Sequence, residues 1–316
     1  LTDFPALIVL EETDLGAGFY YDDFLSLPYN DLRFTKDDKV TPLIFEVDSW
    51  EPEGKSYVWV RIPELTSSTT IYMFWGKENM RALPFMTDGS VWNEDFLGVW
   101  HMNDDTETTI RDSTMNPFNG IKKEINNPLE VDSVVGKGQK FDVNYIDLTG
   151  MTDQTQTYTI SMWINGERSG SYMFPFDIES GRILVAWGSS TAGQIAIHDG
   201  GWKNFGSTPP TNVWHHIAFQ LDATFSTMTM YLNGEQYESS LPYSRRSIGG
   251  KIAFGSSSNF RERFFPGILD EVRISTILRS RDWIWACWKN QGDYKSFSTH
   301  GKIDLQLPKG TIYAFW

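Results

Sequence analysis

Met228-Thr229-Met230-Tyr231-Leu232-Asn233-Gly234-Glu235-Gln236-Tyr237 decides the fold class. Side chains of opposite character alternate along it with the period of two of a pleated strand. The run ends on Asn-Gly, the pair that tolerates positive φ at both central positions of a tight hairpin turn, and a second short strand follows. Working outward, runs of the same length recur at Pro5–Leu10, Leu43–Val47, Tyr57–Ile62, Thr69–Trp75, Tyr158–Ile164, Arg182–Trp187, Val213–Leu221, Thr227–Leu232, Lys251–Phe254 and Ile268–Ile274. Turn chemistry punctuates them at Glu53-Gly54, Asp88-Gly89, Asn165-Gly166 and Asp199-Gly200. The pattern predicts an all-β protein.

The chain has 316 residues, about two domains' worth. With 27 Lys and Arg against 41 Asp and Glu it carries a net charge of −14, which leaves no basic footprint for a phosphate backbone, and no nucleic-acid partner is expected. No apolar run approaches the ~18 residues of a spanning helix. A single cysteine, Cys287, excludes an internal disulfide framework and a Cys-cluster metal site. The opening Leu1-Thr2-Asp3-Phe4-Pro5 has neither a basic nor an apolar leader segment, so a signal peptide is expected to have been removed or to lie outside this sequence. The 13 Trp, 13 Tyr and 21 Phe suit β-sheet faces and also supply flat apolar surfaces that stack on sugar rings.

One helix is expected, over Arg279–Asn290, with Ser280 as its cap and Trp283, Ile284, Cys287 and Trp288 on one side; Trp283, Trp285 and Trp288 are read as packing it down. Trp59, Trp75 and Trp163 fall at core positions of strands. A boundary is placed at about 88, where the strand Thr69–Trp75 gives way to polar and turn-forming residues. The expected domains are a small β-sandwich over 1–87, a large one over 88–301 and a tail over 302–316. In the tail Ile303, Leu305 and Leu307, then Ile312, Tyr313, Phe315 and Trp316, suggest strands that fold back to complete the first domain.

The second domain resembles the laminin-G-like, concanavalin A-like jelly rolls. The resemblance is carried in order by Gly98-Val99-Trp100-His101-Met102, Asp112-Ser113-Thr114-Met115-Asn116, Gly136-Lys137-Gly138-Gln139-Lys140-Phe141-Asp142, Tyr158–Ile164, Trp214-His215-His216-Ile217-Ala218, Tyr231-Leu232-Asn233-Gly234, Ile248-Gly249-Gly250 and Gly267–Ser275. The first domain is similar to a bacterial domain-of-unknown-function family that precedes laminin-G-like domains. Its anchors are Leu1–Pro5, Asp31-Leu32-Arg33-Phe34-Thr35, Tyr57–Pro63 and Thr69–Gly76. The resemblance implies two β-sandwiches, the larger a concanavalin A-like jelly roll with one short C-terminal helix. It also implies an exported protein, and in some relatives a fusion to an ExbB/TolQ-type proton-channel domain of the inner membrane.

Jelly rolls of this kind include glycoside hydrolases, whose strand motif Glu-x-Asp-x-x-Glu places paired carboxylates on one face; the motif is absent here. Asp270 and Glu271 are adjacent and so point to opposite faces of a strand. Gln194-Ile195-Ala196-Ile197-His198 lacks the Gln-x-His spacing of lyases of this fold. His215 and His216 are consecutive strand residues, and His101 is read as a satisfied strand histidine. No nucleophile elbow and no phosphate-cradling loop is present. A non-catalytic protein is therefore expected.

Laminin-G-like sandwiches often hold Ca²⁺ at loop rims, and the resemblance offers Asp112 and Asp270 as ligands of a structural ion, with Asp104 and Asp105 nearby in sequence. The alternative gives Asp112 an Asx-turn, and gives Asp270 a hairpin cap or a pairing with Arg273. For ligand contact the first candidate is Trp202 in the Gly-rich stretch Asp199–Gly206, with Lys203 and Asn204 placed to reach hydroxyls. The expected function is an extracytoplasmic recognition module, periplasmic or at the cell surface, that binds a glycan or a surface protein. The alternatives are an interaction ectodomain of an ExbB/TolQ-type complex that binds protein or peptidoglycan, or a glycan-cleaving enzyme.

Overall fold

The computed structural model describes all residues except 15–17, 107, 117, 124–126, 168, 169, 171, 180–182, 189–193, 208, 259–261, 306–310 and 316; the side chains of 238, 239, 302, 304, 305 and 311–315 are also outside the description. Arg182, the first residue of one expected strand, and Leu307 and Trp316 of the tail pattern lie outside the described residues. Five strands open the chain: β1 (Thr2–Glu11), β2 (Arg33–Lys36), β3 (Phe45–Ser49), β4 (Lys55–Glu64) and β5 (Ile71–Trp75). Then come β6 (Phe96–Trp100), β7 (Thr109–Ile110), β8 (Gly120–Lys123), β9 (Leu129–Asp132), β10 (Lys137–Phe141), β11 (Tyr145–Thr149), β12 (Tyr158–Gly166) and β13 (Phe176–Ile178). After these follow β14 (Ile183–Trp187), β15 (Gln194–His198), β16 (Trp202–Ser207), β17 (His215–Asp222), β18 (Thr227–Leu232), β19 (Glu235–Pro242), β20 (Lys251–Phe254) and β21 (Gly267–Ser275). The chain closes with helices α1 (Arg281–Gly292) and α2 (Tyr294–Phe297) and strands β22 (His300–Leu305) and β23 (Thr311–Phe315).

The chain divides into two compact units, Leu1–Asn93 with Ala286–Trp316 and Glu94–Trp285, so one division falls after Asn93 and the other within α1. In the small unit one sheet runs β1-β4-β3 and the other β2-β5-β23-β22. The tail strand β23 pairs antiparallel with β5, Thr311 opposite Trp75 and Phe315 opposite Ile71. Aromatic rings fill this unit: Phe19 lies 5.0 Å from Tyr21 and 5.5 Å from Trp75, and Trp59 lies 5.6 Å from Trp92, whose Nε1 donates to Glu46 Oε2 at 2.8 Å. Trp59 and Trp75 are buried as their strand positions require.

The large unit is two antiparallel sheets of eight strands. One runs β19-β18-β17-β12-β21-β10-β9 with β6 also on β21; the other runs β16-β15-β14-β13-β20-β11-β8-β7. A single apolar core containing Trp100, Phe141, Tyr158, Phe176, Trp187, Phe219 and Phe254 draws residues from both. The hairpin that decided the class is present: Leu232 faces Glu235, and Asn233 at φ 51° and Gly234 at φ 78° make its two-residue turn.

Helix α1 starts two residues later than expected, and Ser280 caps it, its Oγ accepting from Trp283 N–H at 3.1 Å. Trp283 and Ile284 are buried, and Ile284 packs with Ala218 and Tyr231. Trp285 corrects the expected packing: it is 40% exposed, because it stands about 200° round the helix from Trp283. The short strands β7, β8, β9 and β13 carry too few residues for alternation to be recognised in the sequence.

Candidate functional site

Trp202 belongs to strand β16, not to a loop. The correction has a local cause. Asp199, Gly200 and Gly201 close a turn that sets His198 directly opposite Trp202, so pairing resumes at once and Ala196 faces Asn204. Gly200 stands at φ 103°, and a Cβ there would collide with the Arg246 guanidinium. The Asp199 carboxylate is wholly buried beneath the turn; its Oδ2 accepts from Ser244 N–H at 2.6 Å, and its Oδ1 pairs with the Lys203 ammonium.

Strand alternation sorts the neighbours. Val185, Trp187, Ile195, Ile197 and Phe205 enter the core, while Leu184, Ala186, Ala196, His198, Trp202 and Asn204 share the other face of the sheet. Cross-strand pairing makes one row of Leu184, His198 and Trp202 and a second of Ala186, Ala196 and Asn204. The two alanines leave room above the sheet, and aromatic rings occupy it. Phe174 packs there with Leu184, Ala186 and Ala196, and half-buried Tyr172 and Trp202 lie against them. Trp202 is 5.5 Å from Tyr172, 6.3 Å from Phe174 and 5.1 Å from His198 between ring centroids. The Arg263 guanidinium sits 4.7 Å over the Tyr172 ring, and Asn204 is exposed beside the group. Tyr172 is held at φ 57°, in the left-handed region, with its N–H donating to Gly188 O at 2.7 Å. The result is an aromatic floor edged by one guanidinium and one amide.

Lys203 is set apart from Trp202 and Asn204. Its place on β16 turns it to the opposite face, and its ammonium is taken up by Asp199 and by Gly201 O at 3.2 Å. Sequence reading missed Tyr172, Phe174, His198 and Arg263. The signal that could have found them is the pair of small residues, Ala186 and Ala196, at outward positions of strands whose other positions are large and apolar.

Asp112 and Asp270 are loop anchors. Asp112 Oδ1 accepts from Val99 N–H and Thr114 N–H, both at 3.0 Å, and its Oδ2 accepts from Thr114 Oγ1 at 3.1 Å and Phe118 N–H at 3.2 Å. The Thr114 bond is an Asx-turn. Burial pushes its pKa up against the pull of those donors. Asp270 is fully buried; its Oδ2 accepts from Ser133 Oγ at 2.8 Å and from Val135 N–H at 2.9 Å. Donors on both oxygens of Asp112 and on Asp270 Oδ2 take up lone pairs that a cation at those atoms would need. Among the described residues neither carboxylate belongs to a group of three clustered His, Cys, Asp or Glu.

Arg273 pairs with Glu271. A bulge in β21 opposite Ser161–Trp163 and a φ of 51° at Glu271 redirect its side chain. Glu271 Oε2 takes Arg273 Nη2 at 2.6 Å, and its Oε1 takes His101 Nδ1 at 2.7 Å, all three residues being buried. Burial alone would raise the Glu271 pKa, but the charges of His101 and Arg273 outweigh it and hold the carboxyl below its usual range. His216 is buried and pushed down to about 3 by desolvation and by Arg273, and His215 donates through Nε2 to Pro210 O at 3.0 Å.

Two facing sheets around one core make the large unit a β-sandwich. Residues 28–114 match the Domain of unknown function (DUF2341) family, and residues 141–285 match the Concanavalin A-like lectin/glucanases superfamily. The chain thus carries a domain of the first family followed by a domain of the second. No curated protein matches the chain. Among solved structures, domain 4 of AbnA, a GH43 extracellular arabinanase from Geobacillus stearothermophilus, in complex with arabinotriose, is similar at 19% identity and a TM-score of 0.48, over 60% of this chain and 97% of its own. The binding domain of Paraclostridial Mosquitocidal Protein 1 is similar at 16% identity and a TM-score of 0.48, over 63% of this chain and 55% of its own. The botulinum neurotoxin serotype D binding domain is similar at 13% identity and a TM-score of 0.46, over 62% and 52%. At these identities they are likenesses of fold alone.

Proposed function

We propose that the protein is a non-catalytic recognition module that works outside the cytoplasm and binds a glycan through the aromatic face around Trp202. The observation that carries the reading is the half-buried pair Trp202 and Tyr172, 5.5 Å apart, beside exposed Asn204 and Arg263. Such rings offer an apolar surface to the C–H face of a sugar, while an amide and a guanidinium supply donors to its hydroxyls. The superfamily of the large domain, which contains lectins as well as glucanases, agrees with it. A non-catalytic role is supported by the use of the strand and loop carboxylates: Asp112, Asp199, Asp270 and Glu271 each hold groups of their own unit.

The test is thermal melting of the whole chain with a panel of neutral and acidic oligosaccharides, because a ligand bound only by the native state raises the midpoint by mass action. A rise with one sugar that disappears in Trp202→Ala and Tyr172→Ala supports the reading. If no sugar of the panel moves the midpoint, the glycan reading fails and the protein-surface reading takes its place.

A further inference from the structure

A second site lies in the small unit and does not rest on the Trp202 reading. Around the end of β4 and the start of β5 there is a cavity of about 410 Å³, at the lower end of the range that small-molecule sites occupy. Its floor is aliphatic, from Ile62 and Ile71, both buried. Lys36, Asp37, Glu64 and Thr70 bring polar groups to its wall, the first three exposed. The β4–β5 loop is ordered by its own hydroxyls: Thr69 Oγ1 donates to Glu64 O at 3.0 Å and accepts from Thr66 N–H at 2.8 Å. The wall therefore stands formed before any ligand arrives, which lowers the ordering cost of binding.

The chemistry of the lining selects a ligand. Two carboxylates and the hydroxyls of Thr66, Ser68, Thr69 and Thr70 line it as acceptors, an ammonium and the same hydroxyls as donors, and the apolar floor matches a C–H face. Two negative charges against one positive make an anionic ligand unfavourable by repulsion. Hydroxyls or an amine of the ligand would form charge-assisted bonds to Asp37 and Glu64, roughly twice as strong as neutral ones. We propose that this cavity binds one or two sugar rings free of anionic substituents.

The experiment titrates the full chain calorimetrically with cellotriose, with its amine-bearing counterpart the β-1,4-glucosamine trimer, and with trigalacturonate. Cellotriose or the glucosamine trimer binds, and trigalacturonate binds at least about tenfold more weakly. Binding of the amine alone assigns an ammonium to the carboxylates; binding of both assigns hydroxyls. Measured in the Trp202→Ala background, where the aromatic face of the large unit no longer contributes, Ser68→Trp fills the cavity from an exposed loop position and Glu64→Gln removes one charged acceptor; each weakens the remaining binding about tenfold or more. The proposal is overturned if neither uncharged nor amine sugar binds in the Trp202→Ala background, or if the binding there survives Ser68→Trp. Binding lost in Trp202→Ala and kept in Ser68→Trp also overturns it, and assigns the sugar to the large unit.

Discussion

The side-chain amide of Asn290 makes both backbone hydrogen bonds of Leu7: its Oδ1 accepts from Leu7 N–H at 2.6 Å, and its Nδ2 donates to Leu7 O at 2.9 Å. Leu7 lies in β1, at the edge of its three-stranded sheet, where backbone groups would otherwise lack a partner strand. A helical side chain thus stands in for a neighbouring strand at one residue.

Asn290→Ala leaves a buried donor and a buried acceptor without partners. The expected cost is about 2–6 kcal/mol, from the ~1–3 kcal/mol of each of the two unsatisfied groups. Native-state hydrogen exchange reads it at the right place, since the Leu7 amide should lose protection while the large unit keeps its own. Unchanged protection at Leu7 would show that this contact does not hold the edge.

Acid should unfold the large unit through His216. The folded pKa near 3 lies below the ordinary value of 6.5, so between those two values the unfolded chain binds the extra proton and stability falls as the pH falls. Glu271 acts in the same direction: its folded pKa is lowered, so its contribution is present above the unfolded value and is lost as the pH drops through the folded one. His216→Phe should flatten the acid limb of a denaturation-versus-pH series by up to about 1.4 kcal/mol per unit. An acid limb as steep as in the unsubstituted protein would contradict the assignment.

Glu271→Gln removes the anion between His101 and Arg273. Breaking a buried ion pair on one side costs about 3–5 kcal/mol, because the remaining cation stays desolvated. Chemical denaturation should show that loss. Removing the pair together with Glu271→Leu and Arg273→Met should recover part of it, and a double variant no more stable than the single one would argue against charge as the cause.

Asp112→Ala should destabilise the large unit by about 2–4 kcal/mol, since three backbone N–H groups and the Thr114 hydroxyl lose a charged acceptor in a buried loop. The loss should be the same in calcium and in chelator. A midpoint that rises with calcium in the unsubstituted protein and not in Asp112→Ala would restore this carboxylate as a cation ligand.

How much of this was legible before the fold varies with the range of the interaction. Alternation into Asn233-Gly234 is settled within ten residues, because pleat and turn are both local, and the hairpin stands as read. The cap of α1 at Ser280 is equally local. Trp202 was singled out for its neighbours in sequence, yet two of its partners were not its sequence neighbours: Tyr172 and Phe174 arrive from before β13 and meet it only because Ala186 and Ala196 leave space between them.

Sequence by itself therefore determined the class: strand-length apolar runs, hairpin turns, one capped helix, and the segments that resemble a concanavalin A-like jelly roll. Tertiary structure alone decided which acids are anchors, why Arg273 meets Glu271, where the aromatic floor forms and that Asn290 completes β1. The physical reason is that pleat period and turn geometry act between neighbours in the chain. Hydrogen bonds between residues 283 positions apart, and ring contacts across a sheet, exist only after the strands have chosen their register.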